Sequence, residues 1–191
     1  MSGLKSDNMG LAKYLKLGKI NVNSKDRCIE IDGETTIIPY EKITNSDWGA
    51  IYEKYVGQIF EDNGYEVIYN GLNLGFIDKG IDLIAKNASN IILIQCKYFK
   101  GFITKNKIEW ILYKASKELL KNYYASGKKV TFMLVVNSID NNFSKQKPKG
   151  FNPNYESPNA KIEYPLLQYF LDHNYTQDKI KLACKEITME R

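Results

Sequence analysis

The chain has 191 residues, of which 43% are hydrophobic and 26% are charged, and it carries a formal net charge of +5. This composition is typical of a folded globular protein and excludes an intrinsically disordered chain. Its apolar runs are only a few residues long, whereas a membrane-spanning helix needs about 20, so we expect no membrane partner.

Cysteine and histidine usage narrows the kinds of site that the chain can build. The three cysteines, Cys28, Cys96 and Cys184, are widely spaced and odd in number, so they predict neither a disulfide framework nor a zinc knuckle. The polar N-terminus lacks the apolar centre of a secretory signal, and we expect a reducing cytoplasm. His173 is the only histidine, which excludes every site that needs two histidines.

Positive charge is concentrated in one stretch of the sequence. Residues 97–149 hold twelve lysines against only three acidic residues, Glu109, Glu118 and Asp140. Such an asymmetry favours a polyanionic partner. Nearly all the cations are lysines, which contact phosphate as point charges and are poorly suited to bidentate reading of bases. We therefore expect electrostatic affinity with little direct reading of sequence.

Residues 1–45 are predicted to be an N-terminal extension. The sequence "LAKYLKL" at 11–17 predicts a short helix, and "KINVN" at 19–23 alternates as a strand does. The sequence "CIEIDGETTIIP" at 28–39 places two strand-like runs around Asp32-Gly33, which is a hairpin signal. The extension is therefore predicted to be a small antiparallel unit.

Residues 46–137 are predicted to form the core. It starts with a helix over 47–63, capped by Ser46 or Asp47 and ended by Gly64. This helix carries an apolar stripe at helical spacing: Trp48, Ile51, Tyr52, Tyr55, Val56 and Ile59. A strand "YEVIY" at 65–69 and a loop "NGLNLGFIDKG" at 70–80 follow.

The second half of the core alternates strands and a helix. Two strands, "IDLIA" at 81–85 and "IILIQCK" at 91–97, are separated by a polar turn. A helix over 105–125 that buries Ile111 precedes a buried strand, "KVTFMLVVN" at 129–137. The order helix, strand, strand, strand, helix, strand predicts an α/β fold with a mixed β-sheet flanked by helices.

Residues 138–191 are predicted to be a long loop, 138–160, followed by two C-terminal helices. These are "PLLQYFLDH" at 165–173 and "TQDKIKLACKEI" at 176–187. Two helices joined by a short turn also match a helix-turn-helix, but we favour helices that cover the core.

Polar side chains are predicted to converge at one end of the two central strands. A turn centred between Ala88 and Ser89 pairs Asp82 with Gln95, and strand alternation places Lys97 on the same face. Four residues are then expected to point the other way, into a core: Ile81, Leu83, Ile94 and Cys96. Glu53 lies at the edge of the apolar stripe of the 47–63 helix, from which it can reach the rim of the sheet.

This set of residues has a chemistry that requires no histidine. Asp82 and the backbone carbonyl of Cys96 can hold a hard divalent cation. Lys97 can orient a water molecule and offset charge on a phosphate. Each residue also has a structural interpretation: a salt-bridged aspartate, a satisfied strand glutamine, or a lysine at a strand end. The combination favours a site.

Three segments in this order resemble the Mrr-type restriction endonucleases of the PD-(D/E)XK nuclease superfamily. They are "YEKYVGQIFEDNGYEVI", "GFIDKGIDLIA" and "LIQCKYF", within residues 46–137. The resemblance implies a restriction-endonuclease-like core and cleavage of DNA with Mg²⁺, or with Mn²⁺ in its place. Ile81 stands where the superfamily has proline, and Gln95 replaces glutamate, as is usual for this branch.

The resemblance also implies roles for individual residues. Glu53 matches the helix glutamate, Asp82 the metal-binding aspartate, Gln95 the variable glutamate or glutamine, and Lys97 the lysine. Asp78 matches an accessory aspartate. The implied metal ligands are Asp82, Gln95 and the Cys96 carbonyl.

The predicted function is a Mg²⁺-dependent DNA endonuclease for restriction or DNA processing. A homodimer is a further expectation, because cutting both strands commonly needs two sites. The alternatives are a non-cleaving nucleic-acid-binding module with the same fold and a junction-resolving nuclease. Six lysines are predicted to contact DNA: Lys100, Lys105, Lys107, Lys114, Lys117 and Lys121.

Overall fold

A computed structural model describes residues 11–32, 37–74, 80–98, 101–104, 107, 111, 128–142 and 180–191. They form a mixed sheet of five strands and an antiparallel sheet of three strands, flanked by helices. This architecture confirms the predicted α/β fold class.

The N-terminal unit is the predicted antiparallel sheet. Helix α1 (Leu11–Tyr14) precedes strands β1 (Ile20–Asn23), β2 (Cys28–Ile31) and β3 (Ile37–Pro39), which lie in the order β1-β2-β3. Both neighbouring pairs are antiparallel, and the second confirms the predicted hairpin. A 3₁₀ turn at Tyr40–Lys42 leads from this sheet to the core.

Helix α2 (Asn45–Asp62) confirms the first predicted helix of the core but begins differently. Its N-cap is Thr44, whose hydroxyl accepts from the Asp47 backbone N–H at 3.2 Å. The Asp47 carboxylate accepts from the Thr44 N–H at 2.9 Å, which completes a capping box. The prediction of Ser46 or Asp47 as the cap is therefore wrong, because Asp47 is the residue that reaches back. Gly64 follows the helix with a φ of 81°, as expected for a terminator.

The larger sheet places its strands in chain order, β4-β5-β6-β7-β8. The strands are β4 (Glu66–Tyr69), β5 (Leu83–Lys86), β6 (Asn90–Lys97), β7 (Lys129–Val136) and β8 (Ile180–Glu186). The first three pair antiparallel, and β6, β7 and β8 pair parallel. The carboxyl ends of the three parallel strands therefore lie at one edge of the sheet.

Strand β8 corrects the prediction of a helix over 176–187. The segment contains Ile180, Cys184 and Ile187, whose spacing fits a helical face. It also alternates apolar and charged residues over part of its length, which fits a strand. Pairing with the edge of β7, from Val130↔Ile180 to Val136↔Glu186, decides between them. The other predicted C-terminal helix, 165–173, lies outside the described residues.

Two short helices occupy segments that were predicted to be loops. They are α3 (Asn70–Leu74), directly after β4, and α4 (Ile139–Asn142), after β7. Of the predicted helix over 105–125, residues 107 and 111 are helical, and the others lie outside the described residues. Within the described part of the chain, no helix is long and apolar enough to cross a membrane.

The larger sheet has a hydrophobic cluster on each face. The cluster beneath α2 contains Leu83, Ile94 and Cys96 together with Ile29 of the N-terminal sheet, and the opposite cluster contains Leu93 and others. Three of the four predicted inward positions are therefore confirmed. Ile81 lies in the opposite cluster instead, because it precedes β5 and the alternation of that strand does not extend to it.

Candidate active site

The register of the two central strands is the predicted one. Leu83 pairs with Ile94 and Ile84 with Leu93, so continuing the pairing by one residue places Asp82 opposite Gln95. The backbone N–H of Asp82 donates to the Ile94 carbonyl at 2.8 Å, which extends the strand contact to this position. Strand pairing therefore fixes the place of Asp82.

The carboxylate of Asp82 is buried and held by two donors. Its Oδ2 atom accepts from the backbone N–H of Cys96 at 2.7 Å and also from the side-chain amide of Gln95. Asp82 is 2% exposed and Gln95 is 3% exposed. A buried carboxylate is costly unless donors compensate it, so this arrangement stabilises a negative charge inside the protein.

The amide orientation of Gln95 follows from this contact. Only the NH₂ group of the amide can donate to a carboxylate oxygen, so the Oε1 atom of Gln95 is directed elsewhere. Strand alternation places Gln95 on the face of Leu93, away from α2. The NH₂ group of Gln95 therefore faces the carboxylate of Asp82.

The Cys96 thiol is buried on the α2 face of β6. Burial raises the pKa of the Cys96 thiol, the carboxylates of Asp82 and Glu53 raise it further, and the Lys97 ammonium opposes them. The thiol therefore stays protonated and is not a nucleophile.

The Cys96 backbone carbonyl lies on the Asp82 side of β6. The N–H and C=O of one residue point to the same side of an extended strand, and the Cys96 N–H donates to Asp82. The carbonyl of Cys96 is therefore directed toward β5, on the side of β6 where Asp82 lies.

Gly71 lies between the Glu53 carboxylate and the backbone of Asp82. The backbone N–H of Gly71 in α3 donates to the carbonyl of Asp82 at 2.9 Å. A Cβ atom added to Gly71 would lie 3.0 Å from Cδ of Glu53 and closer still to its Oε2 atom. Glycine at position 71 thus lets the Glu53 carboxylate lie directly against the backbone that holds Asp82.

Lys97 ends β6 at the rim of the sheet. It is half-buried, shares the face of Gln95 by alternation, and pairs with Val136 of β7.

The donor set fits a hard cation only with help from neutral oxygens. Among the residues that the structure describes, no three His, Cys, Asp or Glu side chains could hold a metal ion together. Oxygen ligands from Asp82, the Gln95 amide and the Cys96 carbonyl suit Mg²⁺, which keeps several waters and often takes further oxygens from phosphate. The oxygen donors of these three residues therefore suit a Mg²⁺ ion that keeps several of its waters.

The other predicted site residues mostly lie outside the described part of the chain. These are Asp78, Lys100, Lys105, Lys114, Lys117 and Lys121. Lys107 is described and exposed. Their roles, and those of Asp82, Gln95, Lys97 and Glu53, stay predictions.

Sequence reasoning missed two residues beside the site. Gly71 was assigned only to a loop, although a glycine between the helix glutamate and the strand aspartate is a signal for close approach. Tyr98, directly after Lys97, stacks near Tyr52 of α2 with ring centroids 5.0 Å apart. An aromatic residue directly after a predicted catalytic lysine was the available signal.

Comparison with known families agrees with this geometry. The profile of the nuclease-related domain (NERD) family matches residues 48–154, which is more than half of the chain and includes Glu53, Asp82, Gln95 and Lys97. The chain therefore belongs to the nuclease-related domain family. No curated protein matches the chain. A nuclease-related family is what the resemblance predicted at the coarser level, and the Mrr type stays a prediction.

Proposed function

We propose that this member of the nuclease-related domain family is a Mg²⁺-dependent DNA endonuclease of the Mrr-like, restriction or DNA-processing type. One observation carries the proposal: the buried Asp82 carboxylate accepts from Gln95 and from the Cys96 N–H at the end of β6, one residue before Lys97. The order of these residues is that of the PD-(D/E)XK nucleases that the sequence resembles.

In this proposal three oxygen donors hold the cation. They are the Asp82 carboxylate, the Gln95 amide oxygen and the Cys96 carbonyl, and Mn²⁺ can replace Mg²⁺. When bound, the cation stabilises charge on the phosphate and lowers the pKa of a bound water. Because Gln95 is neutral, the protein alone binds the cation weakly, and DNA phosphate supplies further oxygens.

Lys97 and Glu53 act on the reacting groups. The Lys97 ammonium lies at the rim of the sheet, where it orients the attacking water and offsets charge that develops on the phosphate. The Glu53 carboxylate lies against Gly71, whose backbone N–H holds Asp82, and in this proposal it accepts a hydrogen bond from that water. Neither step uses the Cys96 thiol, whose pKa is raised.

The lysines that follow β6 supply affinity for the DNA backbone. Residues 97–149 are strongly basic, and among them Lys107 is exposed. Lysine contacts with phosphate carry little sequence information, so target choice depends on other features of the DNA. Cleavage of both strands is assigned to a homodimer with two sites, and the setting is the cytoplasm.

The test is incubation of the purified protein with plasmid, linear, methylated and branched DNA, each with Mg²⁺ and with EDTA. The proposal predicts nicking or cutting of at least one DNA with Mg²⁺ and none with EDTA. Preference for branched DNA would favour a junction-resolving nuclease. Binding of every DNA without cleavage in Mg²⁺ or Mn²⁺ would replace the proposal with a non-cleaving module.

A further inference from the structure

A pocket of about 830 Å³ opens at the carboxyl ends of the parallel strands, and Tyr98, the residue after Lys97, is among the residues that line it. Its walls come from the start of α2, the residue after Lys97, the segment after β7 and the end of the described chain. Its lining includes Asn45, Trp48, Tyr98, Asn137, Asn141 and Arg191.

The floor of this pocket is a pair of aromatic side chains covered by a cationic side chain. The ring centroids of Trp48 and Tyr98 are 6.3 Å apart. The guanidinium carbon of Arg191 lies over both rings, 4.6 Å from the Trp48 centroid and 5.3 Å from the Tyr98 centroid. Trp48 is buried and Arg191 is exposed, so the guanidinium forms the solvent-facing layer above the rings.

The segment that carries Arg191 is fixed before any ligand binds. The Ile187 N–H donates to the Val136 carbonyl at 3.0 Å, and the Tyr52 hydroxyl donates to the Ile187 carbonyl at 2.8 Å. The Met189 N–H donates to Oδ1 of Asn137 at 2.8 Å. These bonds hold the backbone on both sides of residue 188, so the segment that leads to Arg191 is anchored to β7 and α2.

The polar wall has the chemistry of a base-binding site. Three asparagines, Asn45, Asn137 and Asn141, line the pocket, and an asparagine amide can both donate and accept hydrogen bonds. Oδ1 of Asn137 already accepts from the Met189 N–H. Among the described residues that line the pocket, one is cationic and none is acidic. Planar cations and amides together suit a planar, polar ring joined to a phosphate.

We propose that this pocket binds the base of an unpaired nucleotide, which stacks on the Arg191 guanidinium while the neighbouring phosphate lies near Lys97. The inference rests on the proposed function, because DNA must pass the rim of the sheet. Tyr98 follows Lys97 directly, so the pocket and the candidate active site are one residue apart along the chain. In this proposal a strand whose phosphate lies near Lys97 runs over the end of β6 to the mouth of the pocket at Tyr98.

The base must be unpaired because both faces of a base in a duplex are already stacked. Two DNA structures supply such a base: a strand that is already single, or a duplex from which the base is extruded. The inference thus narrows the substrate class to DNA in which at least one nucleotide leaves the stack near the cut.

Binding without cleavage tests the pocket directly. Dissociation constants are measured in EDTA by fluorescence anisotropy, using a short single strand in which an abasic nucleotide replaces each position in turn. For the parent protein, one position should lower affinity about 5- to 100-fold when its base is removed, the range expected for one lost stacking contact. In Arg191→Lys, which keeps the charge and loses the planar group, that same abasic change should cost less than about twofold.

Arg27→Lys is the matched control. Arg27 is the other arginine of the chain, and its guanidinium lies 5.6 Å from the ring centroid of Tyr40, outside the pocket lining. In Arg27→Lys, the abasic change should lower the affinity as much as it does in the parent protein. If Arg191→Lys lowers the thermal midpoint, Asn141→Ala provides the comparison instead, because Asn141 is exposed and lines the same pocket.

Three DNAs of one sequence identify the source of the base: a single strand, a duplex with one unpaired base and a full duplex. If removing the base lowers the affinity for the full duplex, the protein extrudes that base from the duplex. If it lowers the affinity only for the single strand and for the duplex with one unpaired base, the pocket binds bases that are already unpaired. An abasic effect that is absent from the parent, or is equal in Arg191→Lys, overturns the inference. Because EDTA prevents cleavage throughout, an inactive nuclease can still show the pocket, and an active one can lack it.

Discussion

Gln95 donates its side-chain amide to the carboxylate of Asp82, thirteen residues earlier in the chain, and both residues are almost completely buried. The contact crosses from β6 to the residue that precedes β5. The NH₂ group of the amide holds the carboxylate in this structure, and we propose that the amide oxygen is a neutral ligand of the cation. This pair is the centre of the proposed site.

Substitutions of Gln95 separate these two contributions. Gln95→Leu should lower cleavage about 10- to 100-fold, as expected for loss of a residue that orients a ligand. It removes one donor from the buried Asp82, so the free energy of unfolding should fall by about 1–3 kcal/mol. Gln95→Glu should destabilise the metal-free protein by placing two carboxylates together, and Mg²⁺ should restore its thermal midpoint.

Calorimetric metal titration and a nicking assay on the parent and both variants check this prediction. Tighter Mg²⁺ binding by Gln95→Glu in the absence of DNA is expected. Cleavage by Gln95→Leu at the parent rate would make Gln95 a structural residue and leave the cation to Asp82, the Cys96 carbonyl and Glu53.

Gly71→Ala tests whether Glu53 takes part. The new Cβ would meet the Glu53 carboxylate, which is the end of a flexible side chain and would have to shift. Stability should change by less than about 1 kcal/mol, whereas cleavage should fall by up to about 100-fold because a reacting group is displaced. Gly49→Ala is the control, because nothing lies within 4 Å of a Cβ at that position. Equal cleavage rates for the two alanine variants and the parent would exclude Glu53 from the site.

Cys96→Ala tests whether position 96 contributes only its backbone. The thiol is buried and its raised pKa keeps it protonated, so its loss should cost about 1 kcal/mol of stability and leave cleavage nearly unchanged. Cys184→Ala, at a buried position in the opposite cluster, is the matched control in melting experiments. A Cys96→Ala protein that is folded but inactive would assign the sulfur a role in the reaction.

The register of β5 and β6 could be predicted from sequence because it depends on local features. A short polar turn fixes which residues face each other, and a shift of one residue would turn every apolar side chain to the wrong face. The pairing of Asp82 with Gln95 could therefore be predicted by counting residues outward from the turn. The face on which Ile81 lies could not be predicted in this way, because strand alternation stops where β5 begins.

The C-terminal strand and the pocket depend on long-range contacts. The segment that forms β8 fits both a helix and a strand, and pairing with β7 selects the strand. Likewise, Arg191 meets Trp48 only because hydrogen bonds to Asn137 and Val136 carry the chain back over α2. No spacing within either segment encodes these contacts.

The lysine-rich stretch makes a quantitative prediction about DNA affinity. Replacing Lys114, Lys117 and Lys121 together by glutamine should flatten the slope of log affinity against log salt by about 0.9 for each lysine that contacts a phosphate. A control with the same charge change replaces Lys16, Lys25 and Lys42, which are exposed in or near the N-terminal unit. An identical slope in both triple variants would make the predicted DNA contacts ordinary surface lysines.

The most direct test of the proposed nuclease is Mg²⁺-dependent nicking of DNA by Asp82→Asn and Asp82→Ala, with folding checked by thermal melting. Both variants should lose all cleavage above the EDTA background. Their DNA affinity should stay the same or rise slightly, because a negative charge near the phosphate is removed. Cleavage by a folded Asp82 variant at the parent rate would contradict the assignment of the active site to Asp82 and its neighbours.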